Sequence, residues 1–437
     1  LAEVMQRRGY RVSGSDARDS ATLARLAALG ISVAVGHRPE LLQGIDAVVF
    51  TPALLPEHPI WKDVARRGLA RLSRAEALGA LAAGSRTLAV AGTHGKTTCT
   101  AALACVLTSA GWDPTALVGG EIPQFGGATA RVGGSRWMVV EADESDGGFT
   151  HLSPQAAILT NIEAEHLDHH GTLEAVAASF AAFLKKLPPE GLLVYCADEP
   201  LAARLAADAG CEAVSYGFSP AAELQVAAQA AGGGRTRITL AGGGRREQFS
   251  SALFGAHNAL NLAAAYALAV GIGVPRAAVL EGLAGFGGVA RRQQYLGDLG
   301  DCRVFDDYAH HPTEVRATLT ALLERFGEPL TVVFQPHLYT RTAYFAAEFA
   351  EALRPATRIF VADIFGAREE PVAGVTSDLI LARLGGHDAA FALPPWREAA
   401  LPGGALWHEP PQGVLVTMGA GDITGLGPLL LDQGGHR

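Results

Sequence analysis

The chain has 437 residues, 49% apolar and 18% charged, which is material for about two to four packed domains. Its net charge of −9 disfavours nonspecific nucleic-acid binding, which needs basic patches. No apolar run reaches the ~18 residues of a membrane helix, no signal-type segment is visible, and the five cysteines form no C-x-x-C pair; a cytoplasmic protein with reduced thiols is expected.

Leu1 already reads as part of a helix, LAEVMQRRG, followed by the strand YRVSGSD. In a Rossmann-type unit a glycine loop precedes the first helix and an acid ends the second strand. Here Asp16 supplies the acid, and the expectation is that a first strand and its loop precede Leu1. The helix SATLARLAALG stops at Gly30, and ISVAVG and GIDAVVFTPAL read as strands, the latter of the buried parallel type. Ser15, Asp16 and His37 sit at strand ends, where such sheets bind ligands but where helix caps are equally common.

The segment RTLAVAGTHGKTT opens a second α/β unit. Thr87 to Ala91 is a buried strand, Gly92, Thr93, His94 and Gly95 form a tight loop, and Lys96, Thr97 and Thr98 start a helix. That layout is a phosphate cradle: backbone N–H groups and the helix N-terminus face an anion, Lys96 reaches the outer phosphates, and the Thr97 hydroxyl holds Mg²⁺. The general form G-x-x-x-x-G-K-[ST] would put its first glycine at Val90, so the loop is shortened. The strand Trp137 to Val140 ends in Glu141, Asp143, Glu144 and Asp146, a crowding of carboxylates that calls for a cation. Ala156 to Thr160 is another buried strand, expected two strands from the loop, and it ends in Asn161, Glu163, His166, Asp168, His169 and His170, a second divalent-cation position.

Residues 222–250 read as two or three antiparallel strands joined by glycine turns, an edge hairpin without chemistry. In FGAHNALNLAAAYALAVGIGV, Asn258 and Asn261 share a helix face and either cap the helix or read a base edge. Arg291 and Arg292 read as a phosphate clamp before a third, mostly parallel unit. Its strands end in DDYAHHPTE, QPHLYTRT and MGAGDI, again at the sheet edge that binds ligands. ATP, Mg²⁺ and a His- and Arg-rich cluster on a separate unit point to energy coupling: phosphorylating a carboxylate makes an acyl phosphate that an amine can attack. An arginine such as Arg341 would hold an amino acid's carboxylate, and a histidine would accept its ammonium proton.

GTHGKTT, EADESD, TNIEAEHLDHH, GAHNALN, GVARR, DDYAHHPTE, FQPHLYTRT and TMGAGDI, in this order across the chain, resemble the Mur ligase family. The resemblance implies an α/β fold of three domains: an N-terminal Rossmann-like UDP-sugar-binding domain over 1–85, a central P-loop ATPase-type parallel-sheet domain over 86–290, and a C-terminal Rossmann-like domain over 291–437 that closes over the nucleotide. It implies an ADP-forming ligase of peptidoglycan biosynthesis that joins L-alanine to the carboxylate of UDP-N-acetylmuramate, acting as monomer or homodimer. The alternative within the family is a recycling ligase that attaches a murein peptide to the same sugar, and a different-class alternative is a P-loop switch without ligation. Carried over by motif, Lys96 and Thr97 act on phosphates and metal, while Glu141 and His166 hold the first and second of two Mg²⁺ ions. Asn258 and Asn261 lie at the adenine, Arg292 and Asp307 at phosphate and ribose, and Tyr308, His310, His337 and Arg341 at the L-alanine pocket. Three positions depart from the family pattern. Leu338 stands where an Arg is usual, RRQQ replaces an RRF-type junction, and the helix after His166 has no lysine over 172–184, so no carbamylated lysine is expected there.

Overall fold

The computed structural model describes the chain except residues 52–53, 55–56, 146, 166–169, 328, 402 and 435–437. It divides into two compact units: Leu1–Ala227 with Thr239–Phe249 and Leu260–Phe286, and Gly287–Arg437 with Ala228–Ile238 and Ser250–Ala259.

The first unit begins with two pairs of parallel strands, Ser13–Asp16 with Ser32–Val35 and Ala47–Phe50 with Ala70–Ser73. Two of the helices next to these strands, Ala21–Ala28 and Arg74–Ala82, start where side chains take up unpartnered N–H groups. The Ser20 hydroxyl accepts from Leu23 N–H, and Ser73 with Glu76 forms a reciprocal capping box. Ile60, Trp61 and Val64 bury the apolar stripe of their helix against Val48 and Phe50.

A ten-stranded sheet follows, and Arg86–Ala91 lies between Ala156–Leu159 and Trp137–Glu141. Both of these neighbours run parallel to it, pairing Val90 with Glu141 and with Ile158. The strand Ala156–Leu159 is therefore immediately beside the loop strand, one position closer than the sequence order suggests. Such central strands are apolar on both faces because helices cover both. Met138, Val140, Ala157 and Leu159 pack with Phe149, Phe180 and Phe183, and the Phe149 and Phe183 rings stack at 5.0 Å. Leu224–Ala231, Arg235–Gly242 and Arg245–Ser251 form one edge of this sheet, as expected of the glycine-punctuated segment.

The second unit carries a six-stranded sheet in the order Gln294–Leu299, Cys302–Asp307, Val414–Met418, Leu330–Phe334, Arg358–Val361, Ala390–Ala392. Only the first pair is antiparallel. Alternation along each strand feeds two cores. Val332, Phe334, Val414 and Val416 meet Val315, Leu319 and Phe349, while Val333 and Leu415 meet Ile423, Leu426 and Leu430. The last strand in sequence, Val414–Met418, is central in space, and it puts Met418 level with both Asp307 and Phe334. The ends of three strands thus present DDYAHH, QPHLYTR and GAGD at one edge.

Candidate active site

The loop after Arg86–Ala91 turns on two glycines in the left-handed region, Gly92 at φ 130° and Gly95 at φ 82°. A Cβ on Gly92 would collide with Thr160 Oγ1, and one on Gly95 with Asn261 Oδ1, so close approach demands glycine at both places. The neighbouring strand end holds the loop in shape. His94 N–H donates to Asn161 Oδ1 at 2.7 Å, and Asn161 Nδ2 and the Thr160 hydroxyl donate to His94 O at 3.1 and 2.6 Å. The Thr93 hydroxyl accepts from Glu163 N–H at 2.9 Å. Lys96 and Thr97 then begin the helix Lys96–Ser109, whose N-terminus carries the positive end of its dipole.

Lys96 Nζ donates to Gly92 O at 2.6 Å, Thr93 O at 3.0 Å and Glu144 Oε1 at 2.8 Å. Burial works against the ammonium charge, but the carboxylates of Glu144, Asp143 and Glu141 outweigh it and hold the lysine pKa above its ordinary value. Burial pushes the Glu144 carboxyl up to about 7, against the pull of Lys96. Glu144 Oε2 is buried and finds no hydrogen-bond partner among the described residues. Glu144 was legible only as one acid of a cluster; its reach to the loop lysine is a property of the loop after the strand.

Glu141 ends its strand facing the loop. Its Oε1 accepts the Thr97 hydroxyl at 3.0 Å, and its Oε2 accepts Gly119 N–H at 2.8 Å. A Cβ at 119 would sit 2.6 Å from Glu141 Oε2, so glycine there makes room for the carboxylate. Gly119–Gly120 inside the strand Thr115–Ile122 is the sequence signal for this approach. The Thr97 hydroxyl and the Glu141 carboxylate are adjacent hard oxygens, a donor set that fits Mg²⁺. His166, with Asp146, Asp168 and His169, lies outside the described residues.

Ser15, Asp16 and His37 are brought together at parallel strand ends. Ser15 Oγ and His37 Nδ1 are 2.8 Å apart, and Asp16 Oδ1 accepts Arg18 N–H at 3.1 Å. Asn261 lies against Gly95, and its Oδ1 and backbone O accept from Cys99 Sγ at 3.4 Å. Asn258, three residues earlier on the helix Ala256–Gly271, donates through Nδ2 to Phe254 O at 3.0 Å and to Gln293 Oε1 at 2.9 Å.

The second unit divides its two arginines. Arg291 donates to Gly419 O at 2.6 Å and Gly421 O at 3.2 Å. Arg292 lies 5.0 Å from the Tyr308 ring centre and 3.5 Å from Glu314 Oε1. Asp307 is buried, accepts the N–H groups of Gln293 at 2.8 Å and Ala309 at 2.7 Å, and is pushed up to about 6 by burial, with Arg292 pulling the other way. Tyr308, His310, His337 and Arg341 form one cluster. The rings of Tyr308 and His310 are 5.1 Å apart, those of His310 and His337 5.8 Å, and Arg341 Nη1 donates to His337 Nδ1 at 3.0 Å. His310 Nδ1 donates to Tyr308 O at 3.0 Å. Leu338 adopts φ 69°, uncommon for a non-glycine residue, and its N–H donates to Phe365 O at 3.0 Å.

Strand, glycine loop and Lys-Thr helix on a parallel sheet, with a carboxylate against the threonine, define a P-loop nucleotide-binding protein of the α/β class. The sequence matches the Mur ligase family catalytic domain over residues 1–86, the Mur ligase middle domain over 90–269 and the Mur ligase glutamate ligase domain over 291–421. The UDP-N-acetylmuramate--L-alanine ligase of Renibacterium salmoninarum is 45% identical over 99% of this chain and 92% of its own length. The ligase of the same name from Kineococcus radiotolerans is 44% identical over 99% and 93%. Among solved structures, the UDP-N-acetylmuramate-alanine ligase of Thermotoga maritima matches with a TM-score of 0.82 at 26% identity, over 99% of this chain and 95% of that one. The chain belongs to the Mur ligase family.

Proposed function

We propose that this chain is an ATP-dependent ligase that joins L-alanine to the carboxylate of UDP-N-acetylmuramate, in the cytoplasm, for peptidoglycan synthesis. Its working parts are a UDP-sugar domain over 1–85, an ATP domain over 86–290 and an amino-acid domain over 291–437. The observation that carries the reading is the joint presence of the Lys96–Thr97–Glu141 phosphate site and the Tyr308, His310, His337, Arg341 cluster. A nucleotide switch has no use for the second.

The sugar's carboxylate oxygen attacks the γ-phosphorus of ATP, the bond to the ADP oxygen breaks, and an acyl phosphate forms. Lys96, leaving Glu144, neutralises charge on the transferring phosphoryl group. Thr97 and Glu141 would hold one Mg²⁺ and His166 a second, supplying charge neutralisation at the phosphates. The amine then attacks the acyl carbon, and phosphate leaves.

The hydrogen bonds of the second cluster divide its labour. Arg341 can only donate, so His337 Nδ1 accepts and the neutral ring carries its proton on Nε2, where it serves an acceptor such as the amino acid's carboxylate. A backbone carbonyl can only accept, so His310 carries its proton on Nδ1 and presents a basic Nε2 to the ammonium group. Two imidazoles of opposite polarity suit a zwitterion. The test is product mass after incubation with ATP, Mg²⁺, UDP-N-acetylmuramate and either L-alanine or the murein tripeptide. An alanyl adduct is expected; an adduct with the tripeptide alone would overturn the amino-acid assignment, and ATP hydrolysis indifferent to the sugar would overturn ligation.

A further inference from the structure

The helix Tyr339–Leu353 carries Arg341 in its first turn and begins at a residue that cannot cap it. Leu338 holds the N-cap position, its side chain offers no acceptor, and its backbone stands at φ 69°, where a non-glycine residue is strained. A second loop, 363–369, supplies what Leu338 lacks. Glu369 Oε2 accepts Thr340 N–H at 3.0 Å, and Glu369 Oε1 accepts the Thr340 hydroxyl. A carboxylate from elsewhere in the chain thus takes up an N–H of the first turn and sets a negative charge at the positive end of the helix.

The same loop holds the strained turn. Leu338 N–H donates to Phe365 O at 3.0 Å and Phe365 N–H to Pro336 O at 2.8 Å, so His337 and Phe365 pair as in a parallel sheet. Their rings lie 6.0 Å apart and 16° from parallel. Gly366 makes the turn back to Glu369, whose N–H donates to Gly366 O at 2.8 Å. A Cβ at 366 would sit 2.7 Å from the Tyr339 ring, so the loop comes this close only with glycine there. Leu338 O in turn accepts the N–H and the hydroxyl of Thr342, at 3.1 and 2.8 Å, which fixes where the first helical residues point. Arg341 is buried one residue past Thr340 and donates to His337 Nδ1 at 3.0 Å. The placing of both side chains therefore depends on one turn, and that turn is held from loop 363–369.

We propose that Glu369 is a positioning residue of the amino-acid site: capping the helix from the neighbouring loop, it holds Arg341 and His337 where they receive the amino acid's carboxylate. The proposal rests on the reading of that pair given above. Steady-state kinetics of the full chain, with each substrate varied in turn, test it. In Glu369→Ala the KM for L-alanine should rise about 5-fold or more, the scale of a lost helix cap, with kcat and the KM values for ATP and UDP-N-acetylmuramate within about 2-fold of wild type. Glu369→Gln should restore the KM for L-alanine, because its amide oxygen accepts Thr340 N–H and its amide nitrogen donates to the hydroxyl. An unchanged KM for L-alanine in Glu369→Ala, or a rise shared by all three substrates, would overturn the proposal, since a merely structural glutamate moves stability alone or the three constants together. Should Glu369→Ala fail to fold, Thr340→Val, which removes the hydroxyl alone, decides in its place by the same split. Wild-type enzyme that forms no alanyl product would instead refute the reading of His337 and Arg341, and this role of Glu369 with it.

Discussion

Lys96 has three donors, and in this structure two loop carbonyls and Glu144 take them. An incoming γ-phosphate must therefore compete with a buried carboxylate for the same ammonium group. Glu144→Gln keeps an acceptor in place while removing the charge that opposes phosphate, so it should tighten ATP binding severalfold; calorimetry with ATP in the absence of sugar measures this, and weaker binding would contradict it. Lys96→Ala should lower kcat about 10²–10³-fold, the scale on which one preorganised donor to developing charge acts. Asp307 gives a pH signature. Its folded pKa of about 6 lies above the ordinary 3.8, so the fold favours its protonated form. Stability on this residue's account is complete below pH 4 and is lost as pH rises through about 6, and the gap of some two units corresponds to about 3 kcal/mol. Asp307→Asn removes the titration. Urea denaturation should show the variant-minus-wild-type difference moving in the variant's favour by up to about 3 kcal/mol between pH 4 and pH 7, and a constant difference would contradict the burial argument.

At the scale of elements, strand ends do the positioning. Glu141 meets Thr97 because Trp137–Glu141 runs parallel to Arg86–Ala91 with Val90 level with Glu141. The same carboxylate is steadied from Thr115–Ile122 by Gly119 N–H, in space that a methyl group would fill. Gly119→Ala should therefore displace Glu141, raise the Mg²⁺ concentration giving half-maximal rate at least ~10-fold, and leave the far-ultraviolet circular dichroism unchanged. An unaltered Mg²⁺ requirement would separate Glu141 from the metal. The strand–loop–helix cradle, the parallel core strands and the polar strand ends were legible because apolar runs, glycine spacing and Lys-Thr at a helix start are local signals. The contacts of Gly119 and Glu144 were not, because they depend on which strand lies alongside and where a loop turns back. The left-handed backbone at Arg291, Gln293 and Leu338 was equally hidden, since none of those residue types advertises it. The pairing of Asn258 and Asn261 was read from their spacing, and the structure gives each its own partners, Gln293 and Phe254 O for one and Cys99 and Gly95 for the other.

At the scale of the whole molecule, a chain of net charge −9 can meet a polyanionic ligand only through local devices, and a helix N-terminus, the half-buried Lys96 and a few arginines are of that kind. Among the described residues no helix is long and apolar enough to cross a membrane. Two compact units carry one polar cluster each, around Lys96 in the first and around His310 and Arg341 in the second. Ligation through an acyl phosphate leaves an isotopic trace, because the sugar's own carboxylate oxygen departs with the phosphate. The decisive measurement uses UDP-N-acetylmuramate labelled with ¹⁸O in its carboxylate, together with ATP, Mg²⁺ and L-alanine, and reads the released phosphate by mass spectrometry. Transfer of a single ¹⁸O into phosphate, dependent on L-alanine and matched by alanyl product, is the predicted result. Unlabelled phosphate, or phosphate released at the same rate without the sugar, would contradict it.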